Sequence, residues 1–254
     1  MSAELPILNI AAYRFVALDE AGLPAFRDRL LQRAEGLGLK GTVLLAPEGI
    51  NLFLAGDADG VRGWLQALRD DDPARFGPLH AKESWSEAQP FQKLKVRLKR
   101  EIVRMDLPTL RPATARPPAV APATLARWIA AGHCDAGRPL KLLDTRNDWE
   151  VDAGTFAGAI DWRLRKFTEF PAALAAHRAE LAGATVVSFC TGGIRCEKAS
   201  LAMEDLGLDH AYQLDGGILQ YFEDTAGQAP GWVGRCVVFD ERGSLDAALQ
   251  APQA

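Results

Sequence analysis

Val186-Val187-Ser188-Phe189-Cys190-Thr191-Gly192-Gly193-Ile194-Arg195-Cys196-Glu197-Lys198-Ala199-Ser200 reads as an apolar β-rich run, a short glycine-containing loop opened by cysteine, and a helix-forming tail. A cysteine on such a strand-to-helix loop faces the loop's N–H groups and the positive end of the helix that follows. Both favour the thiolate, so the thiol pKa falls. Gly192 and Gly193 let successive N–H groups converge on one point as an anion-binding nest, and Arg195 is expected to close the ring with a permanent charge. An arbitrary cysteine at a strand end is more often a small buried residue. Strand, Cys, Gly-Gly, Arg and helix in one run favour a functional loop, Cys190 to Arg195, with Cys190 as nucleophile.

Working outward, strand-like runs at 140–144, 185–189 and 211–214 alternate with helical patterns at 124–131, 170–181 and 196–206, and Gly158-Ala159-Ile160 begins a further element. Such alternation predicts a parallel α/β sheet, where ligands sit beyond the carboxyl ends of strands, and Cys190 lies at one. Asp144 and Arg146 stand two apart at the end of 140–144 and read first as a structural ion pair holding that loop, with a direct chemical role second. Cys196 falls in the first turn after the loop. There it can resolve an oxidised or persulfidated Cys190, or simply pack. None of His80, His133, His177 and His210 adjoins the loop, so activation of Cys190 is expected to rest on backbone dipoles, Arg195 and Lys198. Cys134 and Cys236 have no partner pattern and read as structural.

Residues 106–122 hold Pro108, Pro112, Pro117, Pro118 and Pro122, which neither a helix interior nor an interior strand accepts, so they are expected to form an extended linker. Upstream, a strand at 10–17, a helix at 23–36, strands at 41–46 and 50–55 joined through Pro47-Glu48-Gly49, a helix capped by Asp57 and a last strand at 93–99 give the order β, α, β, β, α, β. That order predicts a ferredoxin-like, or acylphosphatase-like, α+β domain. The expected organisation is 1–105 for that domain, 106–122 for the linker, 123–227 for the parallel α/β domain and 228–254 for a C-terminal extension. Glu48 and Asn51 are explained here by turn formation. On 93–99, Lys93, Lys95, Arg97 and Lys99 share one face. They form either a stripe at phosphate spacing or a solvated edge with protective lysines.

With 254 residues and 48% hydrophobic content the chain can bury two cores, and its net charge of −4 excludes bulk attraction to nucleic acid, so RNA contact has to come from a local patch. Met1-Ser2-Ala3-Glu4-Leu5-Pro6 lacks a basic region followed by an apolar core, and no apolar run reaches membrane-spanning length, so a cytoplasmic protein without a membrane partner is expected. The four cysteines lack zinc or disulfide spacing, and neither a dinucleotide-binding glycine motif nor a two-His-one-carboxylate spacing is present. The residues therefore identify no metal and no cofactor.

Cys190-Thr191-Gly192-Gly193-Ile194-Arg195 resembles the six-residue active-site loop of rhodanese domains, whose cysteine carries a transferable sulfur. Leu143-Asp144-Thr145-Arg146-Asn147-Asp148-Trp149-Glu150, with Gly154 and Gly158-Ala159 after it, resembles the first rhodanese motif, and Asp215-Gly216-Gly217 the Gly-Gly turn near the end of that domain. Thr155 departs from the histidine usual there. The longer string through Cys196-Glu197-Lys198-Ala199-Ser200 is similar to the rhodanese-containing bacterial tRNA uridine hydroxylases, as are Lys40 to Gly56, Arg165 to Pro171 and the tail Val237 to Arg242, which is expected to add a terminal strand. Trp162-Arg163-Leu164 is less familiar. The resemblance implies a rhodanese-like second domain, tRNA as substrate and partner, and conversion of the wobble uridine to 5-hydroxyuridine with molecular oxygen as co-substrate. It names no reductant and no protein partner. A sulfurtransferase holding a persulfide on Cys190 is the alternative, and a non-catalytic RNA-binding protein the third reading. A cysteine phosphatase is disfavoured, because its loop has five residues between Cys and Arg and this one has four.

Overall fold

Alternation in Ile7–Phe15 (β1) puts Leu8, Ile10 and Ala12 on a buried face, the start of the first of two sheets that organise the chain. The computed structural model describes residues 6–252 and divides into two units, the first ending at Val103 and the second beginning at Arg104. The leader-free reading of residues 1–5, and the outer ends of the expected 1–105 and 228–254 segments, lie outside the described residues.

In the first unit β1 is followed by Leu23–Gly36 (α1), Lys40–Ala46 (β2), Gly49–Gly56 (β3), Ala58–Asp71 (α2), Pro73–Phe76 (α3), Ala81–Ser86 (β4) and Leu94–Leu98 (β5). The sheet order is β4-β1-β3-β2-β5, antiparallel except where β5 joins β2 in parallel. Without β5 this is the ferredoxin-like order, so the fold class stands but its last strand does not. The fourth strand is Ala81–Ser86, and the expected 93–99 strand is a fifth, added at the opposite edge. Ala81–Ser86 escapes a periodicity search because Lys82, Glu83 and two serines leave no apolar alternation; hydrogen bonding to the β1 edge makes it a strand.

Asp57 caps α2 as expected, its carboxylate accepting from the N–H groups of Asp59 and Gly60 at 3.1 and 3.2 Å. Trp64 is fully buried and donates from Nε1 to Leu30 O at 3.2 Å, so the largest side chain of this core leaves no indole N–H orphaned. Glu48 and Asn51 do more than turn: Glu48 Oε1 accepts from the Ile102 N–H at 2.7 Å and Asn51 Nδ2 donates to Ile102 O at 3.2 Å, clamping the end of the unit. Gly49 has φ +147, and a Cβ there would meet Arg14 O at 2.0 Å, so only glycine lets this hairpin lie against β1.

The second unit runs through Ala119–Val120 (β6), Pro122–Ala131 (α4), Leu140–Asp144 (β7), Asp148–Ala153 (α5), Gly154–Phe156 (β8), Phe170–Leu181 (α6), Thr185–Phe189 (β9), Ile194–Asp205 (α7), Ala211–Leu214 (β10), Gly217–Asp224 (α8), Trp232–Gly234 (β11), Cys236–Val237 (β12) and Ser244–Leu245 (β13). Its sheet has the parallel order β6-β10-β9-β7. All five residues of β9 are buried, as a central parallel strand covered on both faces requires. Ile160 adds a single parallel bridge beside Leu143.

Three expectations change in this unit. The proline-rich stretch ends inside it, because Ala119–Val120 pairs with the edge of β10 and Pro122 opens α4, a first-turn position where its missing N–H costs nothing. Helix α7 begins at Ile194, two residues before the expected start. The tail contributes only Val237 to a strand, β12, paired with β13 in a small hairpin whose tip is tied by Arg242 to Asp240 at 2.8 Å. Among the described residues no helix is long and apolar enough to cross a membrane.

Candidate active site

Cys190 is the first residue after β9 and is fully buried. The chain then curls through Thr191 and Gly192 to Gly193, whose left-handed conformation (φ 95) opens α7 and turns its N–H onto Cys190 Sγ at 3.2 Å. The N–H groups of Arg195 and Cys196 point at the same sulfur. Burial alone would raise the Cys190 pKa. A hydrogen bond from the Cys196 thiol, the Arg195 charge and these N–H groups outweigh it and bring the thiol down to about 5. Cys196 is driven the other way, well above the ordinary thiol range, by burial, by its hydrogen bond to Cys190 and by the Cys190 charge. One sulfur carries the charge and its neighbour keeps the proton.

Arg195 does not stand open in the ring. Its two Nη atoms each reach a Glu150 oxygen at 2.7 Å, with Glu150 fully buried and Arg195 7% exposed. Burial works against the Arg195 charge, and the hydrogen bonds and charge of Glu150 overcome it. A guanidinium so withdrawn from water needs a carboxylate, so its field reaches Cys190 while each Nη donates to Glu150. Glu150 is set in place by α5, where one of its oxygens also accepts the Asn147 N–H at 3.1 Å at the helix start.

The outer walls hold the nest still. Arg146 and Asp144 are both fully buried and joined at 2.7 and 2.9 Å; Arg146 also donates to Gly154 O at 2.5 Å, and the Thr155 hydroxyl to Asp144 at 2.8 Å. Thr155, which departs from the histidine usual in the motif it resembles, thus closes an ion pair that ties the end of β7 to β8. Across the nest, the first turn of α8 donates from Ile218 N–H to Cys190 O at 2.9 Å and from Leu219 N–H to Thr191 O at 3.1 Å. Gly217 (φ +68) permits this approach, since a Cβ there would lie 2.5 Å from Cys190 O.

Residues 7–102 match the model of the UPF0176 acylphosphatase like domain, and residues 122–224 that of the Rhodanese-like domain. The chain is 60% identical over 243 residues to the tRNA uridine(34) hydroxylase of Bordetella petrii, covering 96% of this chain and 94% of that protein. It is 59% identical to the one from Delftia acidovorans, over 96% and 90% of the two chains, and 58% identical to the one from Variovorax paradoxus, over 98% and 92%. The chain belongs to the tRNA uridine(34) hydroxylase family. Membership favours the hydroxylase reading of the Cys190 loop over the sulfurtransferase one.

In this hydroxylase-family chain the structure brings Gly193, Arg195 and Cys196 to the Cys190 sulfur, with Thr191, Gly192 and Ile194 as the connecting residues and the Asp144–Arg146 pair as wall. Lys198 is buried on α7. Lys93, Lys95, Arg97 and Lys99 belong to the first unit, where all four are exposed on and beside edge strand β5 while Val96 points into the core. The Arg163 stretch resolves into ion pairs from Arg163 to Asp152 at 2.6 Å and to Asp161 at 3.1 Å. Two neighbours of the loop escape a reading of the sequence. Glu150 carries a detectable signal, since Asn at 147 with Glu three residues on is a helix-start pattern. Cys236 carries none: it lies 3.9 Å from the Thr191 hydroxyl, which itself donates to Val237 O at 3.2 Å, and burial pushes its thiol up to about 12. Among the described residues no three His, Cys, Asp or Glu side chains converge as metal ligands would.

Proposed function

We propose that this protein converts the wobble uridine of tRNA to 5-hydroxyuridine, with dioxygen as the oxygen source and the Cys190 thiolate as the required reacting group. The observation that carries the proposal is the near-full-length relationship to tRNA uridine(34) hydroxylases, joined to a loop that concentrates N–H donors and a buried positive charge on one sulfur. Insertion of one atom of dioxygen at the pyrimidine C5–H, with release of the other as water, consumes two electrons and two protons, so an external two-electron donor belongs to the reaction. The target base has to leave its stack to approach a residue buried in a nest, and an anticodon loop, being single-stranded, lets it do so at low cost. The exposed stripe Lys93, Lys95, Arg97 and Lys99 is the proposed contact to tRNA phosphates, which position the RNA without reading its sequence.

The test is isotopic. Cells grown under heavy-isotope dioxygen are expected to carry the label in tRNA 5-hydroxyuridine when this protein is the one supplied, and to lose it with Cys190→Ser. Full modification by the serine variant removes Cys190 from the reaction. Cys190-dependent thiouridine without labelled hydroxyuridine refutes the hydroxylase reading.

A further inference from the structure

Two large aromatic side chains stand half in solvent beside the Cys190 loop: Trp149 is 50% exposed and Phe239 49%. Single exposed aromatics are ordinary. These two are tied to the loop's own electrostatics. Trp149 is in the first turn of α5, its N–H on Asp148 Oδ1 at 2.8 Å, immediately before the Glu150 that holds Arg195. Phe239 follows β12 in the hairpin whose strand accepts the Thr191 hydroxyl, and the Arg195 guanidinium carbon lies 5.8 Å from the Phe239 ring centre. The rings of Trp149 and Phe239 meet edge to face, with centroids 6.4 Å apart and planes at 89°. Together they form a right-angled corner with the Arg195–Glu150 pair at its side.

We propose that Trp149 and Phe239 receive the target pyrimidine, the base stacking on one ring and bounded by the other. The inference rests on the substrate class proposed above and adds the residues that hold the base. Unstacked bases of single-stranded RNA are characteristically held on aromatic faces, and a perpendicular second ring limits where the base can slide. A protein partner is a poorer occupant. Half-exposed rings offer roughly 200 Å² together, well below the about 800 Å² per side of a stable protein interface. Phe239 and Trp149 act as positioning residues, since neither has a group that could react.

The experiment measures binding of two anticodon stem-loop RNAs, one with uridine at the wobble position and one abasic there, to the wild-type protein, Trp149→Ala, Phe239→Ala and the conservative Trp149→Phe, with thermal unfolding to verify that each variant is folded. The wild type is expected to favour the uridine RNA. Each alanine variant is expected to lose that preference by about 5- to 150-fold, the range found when a base-stacking ring is removed. Trp149→Phe is expected to keep most of it, and the salt dependence is expected to be unchanged because no phosphate contact is removed. Folded alanine variants that retain the full preference overturn the aromatic corner. An equal loss for both RNAs also overturns it, as does a wild-type dimer that either alanine variant dissociates. A wild type with no preference instead counts against the wobble uridine as substrate, which separates the two failures.

Discussion

Replacing Glu150 with alanine strips the buried Arg195 guanidinium of the carboxylate that holds both of its Nη atoms, and the geometry says what that costs. Glu150 is fully buried, accepts two hydrogen bonds of 2.7 Å from an Arg195 that is 7% exposed, and takes a third from the Asn147 N–H at 3.1 Å. Breaking a buried ion pair by removing one partner costs about 3–5 kcal/mol, because the surviving charge stays out of water uncompensated. At about 2–4 °C per kcal/mol for a unit of this size, the second unit is expected to melt about 6–20 °C lower. The Cys190 thiolate is not expected to weaken with it, since Arg195, freed of its carboxylate, offers a stronger field to the sulfur. Stability and thiol acidity therefore separate. Calorimetry reads the first and thiolate ultraviolet absorbance against pH the second. A double replacement, Glu150→Leu with Arg195→Met, removes both charges and is expected to recover much of the loss. Melting of Glu150→Ala within about 1 kcal/mol of the wild type, the size of a single ordinary hydrogen bond, refutes the reasoning.

Two further perturbations follow from the same geometry. Because the folded Cys190 pKa is depressed to about 5, its contribution to stability is present above the unfolded thiol pKa of about 8.5 and is lost as pH falls through about 5; the stability difference between wild type and Cys190→Ser, followed by denaturant titration, is expected to shrink across that window, and a flat difference counts against the depressed pKa. Replacing Lys93, Lys95, Arg97 and Lys99 with glutamine is expected to weaken tRNA binding and reduce the logarithmic salt slope by about 3, from four phosphate contacts at about 0.7–0.9 each, whereas an unchanged slope returns the stripe to a solvated edge.

What could be read from the chain is what lies within a few residues of itself. The β9 strand, the Asp57 cap and the helix at 170–181 depend on propensity and on neighbours one turn away, and each is where its pattern puts it, while the Cys190 loop ends two residues early because α7 opens at Ile194. The same local view misplaced the last ferredoxin strand. The alternation of Leu94, Val96 and Leu98 marks a real strand, but alternation cannot say which edge it joins, and Ala81–Ser86 has no pattern until β1 offers it a ladder.

The lowered Cys190 pKa, with backbone N–H groups and Arg195 among its causes, was legible; the partner of Arg195 was not, for a related reason. The expectation that Arg195 closes the ring with its charge named no counter-ion, because that carboxylate lies 45 residues away in sequence, in a helix whose position depends on the whole sheet. Physical chemistry still constrained the answer. A guanidinium beside a buried sulfur has to find a carboxylate, and one carboxylate in the first rhodanese motif sits three residues after an Asn, where a helix start fixes it. Neutralising the buried Arg195 brings in Glu150 and the Trp149 that precedes it, whereas the Phe239 ring meets the guanidinium only in the folded chain. The aromatic corner is thus reached through an ion pair: the residues proposed to hold the base flank the pair that neutralises Arg195, the cation whose charge helps to hold the Cys190 thiolate.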